Sequence, residues 1–98
     1  MLNTEEVKGY LGIDYIDEPT EKRLVHLIKV SDKILEGSIG KDYPKDDDRA
    51  KEIALIIIED LFDNHSMNDK VTGNTRKLVE SMSLQLILEL RREKKDGI

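Results

Sequence analysis

The sequence predicts an all-α fold: a small bundle of about four helices, with a long mobile loop before the C-terminal helix. Apolar residues recur at helical spacing, and two segments, residues 53–58 and 84–90, are apolar on more than one side. Turn-forming residues separate the helical segments. A chain of 98 residues is long enough for one domain, so residues 1–98 are predicted to form a single helical domain.

The first two helices are predicted from their ends and their apolar spacing. Thr4 is a suitable N-cap for a short helix that ends at Gly12. Its apolar face consists of Val7, Tyr10 and Leu11. A second helix is predicted to begin near Pro19, a favoured first-turn residue, and to end at Gly37 or Gly40. Its apolar face consists of Leu24, Leu27, Ile28, Ser31, Ile34 and Leu35.

The third helix is predicted from about Asp48 to Asn64, and the fourth from near Thr75 to near Lys94. The third is so apolar that it is expected to be the central helix of the bundle. Capping and the helix dipole explain the acidic run at residues 46–48. The predicted core consists of Leu24, Leu27, Ile28, Ile53, Ala54, Ile57, Leu61, Leu78, Met82 and Leu86.

The polar stretch between these two helices is long for so small a domain. Residues 66–75 contain a glycine and several Asn and Asp, and they are predicted to be the most mobile internal segment. Met67 and Val71 are the two apolar residues in this loop. They are candidates for docking to a partner protein, together with Arg91 and Arg92 of the basic C-terminal tail.

The two most apolar helices carry more apolar surface than one small domain can bury. On the fourth helix, Leu84, Ile87 and Leu88 lie largely off the face expected to join the core. Ile56 of the third helix also points away from its main apolar stripe. These four residues are the predicted oligomer interface, because an apolar surplus on a polar chain is typical of a protein contact.

The composition argues against several functions. The net charge is −5 and aromatic residues make up 4%, which argues against a general nucleic-acid-binding surface. There are no cysteines, so thiolate metal sites and disulfides are impossible. No phosphate loop or hydrolase motif is present, and no enzyme activity, metal or cofactor is predicted. The opening is acidic rather than signal-like and the longest apolar run is six residues, so the expected location is the cytoplasm, with no membrane partner.

Four features in order resemble the head–tail connector, or adaptor, proteins of tailed bacteriophages. The opening segment at residues 4–14 is followed by an acidic stretch and the second helix. The third helix ends in Leu61-Phe62-Asp63-Asn64-His65, and the last ends in Ile87-Leu88-Glu89-Leu90-Arg91. The first of these ends departs from the aromatic-Glu-Asn-Arg-like pattern of the family. The resemblance rests on the order and spacing of these features together, and it covers nearly the whole chain.

The resemblance implies a structural virion protein that is made in the host cytoplasm. Copies of the chain would form a ring of about twelve protomers through head-to-tail contacts. The ring would dock beneath the portal protein, extend the channel through which duplex DNA passes without sequence-specific binding, and receive the next head-completion or tail protein. Two other interpretations stay open. One is a small helical homodimer that acts as a regulatory or adaptor protein, and the other is a metal-assisted enzyme using Glu59, Asp63 and His65.

Overall fold

The all-α prediction is confirmed. The structure, a computed structural model, describes residues 1–15, 17–63 and 71–96, and these residues form four helices and no strand. The helices are α1 (Thr4–Leu11), α2 (Glu18–Ser38), α3 (Asp48–Asp63) and α4 (Gly73–Asp96). Within the described ranges, no helix has both the length and the apolar character that a bilayer span requires.

The N-cap of α1 is Asn3, not Thr4 as predicted. The Asn3 side chain accepts the backbone N–H of Glu6 at 2.8 Å, and the Glu6 carboxylate accepts the backbone N–H of Asn3 at 3.2 Å. This reciprocal pair is a capping box, which places Thr4 inside the helix. Gly12 ends α1 as predicted, because its φ of 75° is a left-handed conformation that glycine adopts without strain.

Polar side chains also define the ends of the central helices. The Asp47 carboxylate accepts the backbone N–H of Arg49 at 2.8 Å, so the acidic run does contribute the predicted cap at the start of α3. At the other end of α3, the Arg23 guanidinium donates to the carbonyl oxygens of Leu61 and Phe62 at 3.0 and 3.4 Å. This contact joins α2 to the C-terminal end of α3, where the carbonyl oxygens have no donor within the helix.

Helices α2 and α3 form the centre of the bundle. Each contacts all the other helices, whereas α1 and α4 make no contact with one another within the described residues. Two ion pairs hold α1 on this centre, between Lys8 and Glu21 of α2 and between Lys51 of α3 and Glu6. The buried apolar side chains are Leu2, Val7, Leu24, Leu27, Ile28, Leu35, Tyr43, Ala50, Ile53, Ala54, Ile57, Ile58, Leu61, Val79 and Leu86.

The predicted core is confirmed except for Leu78 and Met82 of α4, and Leu86 of the same helix is buried as predicted. Leu78 is 48% exposed and Met82 is only partly buried. The buried stripe of α4 instead runs through Val79, Ser83 and Leu86. Consecutive helical residues are turned by about 100°, so burying Val79 places Leu78 at the edge of the contact. The prediction that Leu78 belongs to the core was therefore wrong.

The polar stretch before α4 is shorter than predicted at its C-terminal end. Helix α4 begins at Gly73 rather than near Thr75, and Val71 packs against the core instead of extending into a loop. Residues 64–70, which include Met67 and His65, lie outside the described residues. The predictions of a mobile loop and of a docking role for Met67 fall largely on that segment.

We expect Ile57→Ala to lower the free energy of unfolding by about 2 to 5 kcal/mol, since it removes buried methyl groups and leaves a cavity. Ile57 is 0% exposed at the centre of the bundle. Ile56→Ala is the matched control, because Ile56 is the adjacent residue on the same helix and is only partly buried. Urea unfolding of both variants measures the difference. Equal losses would show that Ile57 is not a core residue.

Ser83→Ala should stabilise the protein by about 1 kcal/mol more than Ser81→Ala. The Ser83 residue is 2% exposed, and its hydroxyl has no hydrogen-bond partner among the described residues. Ser81 lies two residues away on the exposed side of α4, so its variant reports only the higher helix propensity of alanine. The measurement is again urea unfolding, and an unstable Ser83→Ala would mean that the hydroxyl makes a favourable contact.

Candidate interaction surface

The outer side of α4 carries two of the most exposed large apolar side chains of the protein. Leu84 is 59% exposed and Leu88 is 52% exposed. They are four residues apart, so they are neighbours on one face of the helix. That face lies opposite the buried stripe of Val79, Ser83 and Leu86. The structure therefore brings together two of the four predicted interface residues on a surface that the monomer does not cover.

The C-terminal half of α4 is held against the start of α3 by one arginine. The Arg49 guanidinium donates to the carboxylates of Glu89 at 2.8 Å and Glu93 at 2.7 Å, one turn apart on α4. It also donates to Asp47 at 2.7 Å. A planar guanidinium with several donors can serve three carboxylates at once, which a lysine would do less well.

The N-terminal end of α4 is held by an aspartate of α3. The Asp60 carboxylate accepts the backbone N–H of Thr72 at 2.8 Å and the hydroxyls of Thr72 and Thr75 at 3.1 and 3.0 Å. These contacts satisfy a donor at the start of α4 and place a negative charge at the positive end of its dipole. Together with Arg49, they fix α4 antiparallel to α3 near both of its ends. The outer face of α4 is thus presented on a helix of defined orientation.

The arginine network changes the acidity of its members. Hydrogen bonds from the Arg49 side chain lower the pKa of Asp47 to about 2, although partial burial opposes this shift. A hydrogen bond from the same guanidinium lowers the pKa of Glu93. The pKa of Arg49 is itself raised, mainly by its hydrogen bond to Asp47 and then by those to Glu93 and Glu89. All of these groups are charged at neutral pH, so the tie between α3 and α4 is ionic.

Ile87 occupies a different position from the two leucines. It is partly buried, and with Leu90 and Arg91 it lines a cleft against the connection between α2 and α3, residues 39–44. Tyr43 in this connection is buried, and its hydroxyl donates to the Asp32 carboxylate. The cleft is shaped by both α4 and the connection, so Ile87 does not share the open face of Leu84 and Leu88.

Ile56 lies on the outward side of α3 and is partly buried. Three exposed acids share that side of the helix: Glu52 lies about one turn before Ile56, and Glu59 and Asp63 lie about one and two turns after it. Tyr10 of α1 is 45% exposed nearby, and its pKa is raised by partial burial and by the charges of Glu59 and Glu52. Ile56 is therefore the apolar centre of an acidic surface on α3.

The predicted docking residues have different surroundings. Arg91 and Arg92 are exposed on α4, three and four residues after Leu88. Val71 is partly buried and packs against the core, so its side chain is committed within the monomer. Met67 lies outside the described residues. The two arginines are thus the docking candidates that the structure leaves open to solvent.

The acidic residues near the end of α3 do not converge on one point. Asp60 is engaged with the start of α4, whereas Glu59 and Asp63 are exposed on the outward side of α3. His65 lies outside the described residues. Within the part of the chain that the structure describes, no group of three metal-ligating side chains is positioned to hold an ion.

Sequence reasoning missed the residues that hold α4 in place. Arg49 is 40 residues from Glu89, and Asp60 is 12 residues from Thr72. The pair Glu89 and Glu93, one turn apart, was a signal for a shared cation, but the sequence did not identify Arg49 as that cation. Comparison with known proteins adds no further candidate, since no family model, curated protein or solved structure matches the chain.

Asp47→Asn should make the free energy of unfolding fall less steeply as the pH is lowered. The folded pKa of Asp47 is about 2, below the usual aspartate value near 4, so its ionised form is stabilised in the folded protein. That contribution is complete above about pH 4 and is lost as the pH falls through about 2. Asparagine keeps an N-cap oxygen and removes the charge. Denaturant unfolding from pH 7 to pH 2 measures the difference in free energy of unfolding between the variant and wild type. A difference that does not change with pH would contradict the lowered pKa of Asp47.

Proposed function

We propose that this chain is a structural head–tail connector of a tailed bacteriophage, which forms a ring beneath the portal protein. The ring joins the capsid to the tail and extends the channel for DNA during head completion. In this proposal the chain is not an enzyme. Its work is done by surfaces that contact neighbouring proteins.

The observation that carries the proposal is the exposed pair Leu84 and Leu88 on the outer face of α4. Leaving large apolar side chains in water forfeits roughly 1.5 to 3 kcal/mol for each one. Arg49 and Asp60 hold the helix near its two ends, so the pair is displayed in a fixed position. A rigid, exposed apolar pair on a highly charged protein is suited to repeated contact between copies or with a larger assembly.

The order of the sequence features also supports the proposal. The short first helix, the apolar third helix ending at Asp63 and the long last helix occur in the order of the sequence features that resemble the connector family. A net charge of −5 suits a channel component, because phosphate groups are repelled by an acidic wall and duplex DNA can slide past it. The competing function is a small helical homodimer, which would use the same leucines in a two-fold contact.

We expect Leu88→Asp to leave the fold intact and to abolish assembly. Leu88 is 52% exposed, so an aspartate there remains in water in the monomer but is buried in the assembly. Leu86→Asp is the matched control, because Leu86 is 2% exposed two residues away and its variant should unfold. Circular dichroism with thermal melting reports the fold, and sedimentation velocity reports size. A Leu88→Asp protein that assembles like wild type would remove the main support for the proposal.

The role beneath the portal has its own test. The chain is co-expressed with the portal protein of the same genome, and the complex is isolated and weighed by native mass spectrometry. A ring of this chain on the portal is expected for wild type and is expected to be lost in Leu88→Asp. A source genome that encodes no portal protein, or a portal that never retains the chain, would reject the proposed function.

A further inference from the structure

Two helices of this protein carry outward stripes of opposite charge. On α4 the stripe has an i, i+4, i+7 spacing along the helix, and it consists of Lys77, Ser81, Leu84, Leu88, Arg91 and Lys95. We call it the basic stripe. On α3 the same spacing gives Glu52, Ile56, Glu59 and Asp63, which we call the acidic stripe. Each stripe has an apolar centre with charges of one sign on both sides.

The charged side chains of both stripes have no ion-pair partner within the described part of the monomer. All of these charged residues are exposed. This differs from other charges on the same helices, since Arg49 and Glu89 are paired across α3 and α4. The unpaired charges around Leu84 and Leu88 are mostly basic, since Lys77, Arg91 and Lys95 outnumber the one acid there, Glu80. Those around Ile56 are acidic.

The two stripes lie on different parts of the molecule. The acidic stripe lies beside Tyr10 of α1, whose hydroxyl senses the charges of Glu59 and Glu52. The basic stripe lies on the side of α4 opposite to the contacts with α3. Within the described residues α1 and α4 do not touch. Each stripe is therefore exposed on its own helix, although Glu52 at one end of the acidic stripe lies beside the cleft between α3 and α4.

We propose that the basic stripe of one copy docks on the acidic stripe of a second copy, in a head-to-tail contact. Leu84 and Leu88 then pack beside Ile56, and the flanking bases of one copy face the flanking acids of the next. Each copy keeps one stripe free after a contact forms, so the contact repeats until the assembly closes or extends. This inference rests on the proposed ring and specifies its repeating contact.

Mixing two blocked variants tests the head-to-tail contact directly. Ile56→Asp places a charge in the apolar centre of the acidic stripe and leaves the basic stripe intact. Leu88→Asp places a charge in the apolar centre of the basic stripe and leaves the acidic stripe intact. For each variant alone, the dissociation constant of self-association should be raised at least about tenfold over wild type. Mixed together, the intact stripe of each should meet the intact stripe of the other, giving a one-to-one heterodimer that cannot grow. Native mass spectrometry and sedimentation equilibrium measure the species.

Because Ile56 is partly buried, Glu59→Lys serves as a second acidic-stripe variant that leaves the core untouched. The Glu59→Lys protein should self-associate more weakly than wild type, and its intact basic stripe should still bind the Leu88→Asp protein. High salt should weaken the wild-type contact in the same way, since it screens exposed charges.

Three results would overturn the inference. One is an Ile56→Asp protein that self-associates as wild type does, which would indicate a two-fold contact through the leucines alone. Another is a mixture that contains no heterodimer although both variants are folded. The third is a wild-type protein that stays monomeric up to millimolar concentration. The portal test is independent: head-to-tail assembly without portal binding would reject only the proposed function, and portal binding without this contact would reject only the inference.

Discussion

The burial of α3 is the constraint on which the rest of the structure depends. Ile57 and Ile58 are both 0% exposed, which requires neighbours on adjoining sides of one helix. Helix α2 covers one side with Leu24 and Leu27, and α4 covers the other. The short helix α1 contacts the same central pair but not α4, within the described residues. In a chain of 98 residues, this arrangement uses most of the available apolar surface and leaves one long helix covered on a single side.

That incomplete coverage explains why α4 depends on polar ties. Its buried stripe is narrow and includes Ser83, a small residue with little apolar area. Arg49 and Asp60, both on α3, add contacts near the two ends of α4. These ends lie beyond the buried apolar residues of the helix. Exposed ion pairs contribute little when isolated, but a guanidinium shared among three carboxylates fixes position as well as charge. The ties orient α4, and this orientation makes its outer face a surface with a defined shape.

Periodicity predicted the helices and most of the core because burial imposes the helical repeat on the sequence. Periodicity predicted the wrong core residue where the helical repeat allows either of two neighbouring apolar stripes to be buried. Leu78 and Val79 are both apolar, and only the packing of α4 against α3 selects Val79 for burial. The exposure of Leu84 and Leu88 was predictable, since they lie far from any stripe that includes Leu86. The polar ties were not predictable, because Arg49 meets Glu89 only after the chain has folded back on itself.

The distribution of charge favours a directional contact over a two-fold one. In a two-fold contact through α4, the basic residues around Leu84 and Leu88 would face the same residues of the partner, among them Arg91. Like charges at close range oppose association, and the opposition grows as the apolar centre is desolvated. A head-to-tail contact instead places these bases against Glu59 and its neighbours. The net charge of −5 conceals this separation, because it combines an acidic α3, a basic α4 and the remaining residues of the chain. The arrangement of charge on the two helices is therefore more informative about assembly than the total.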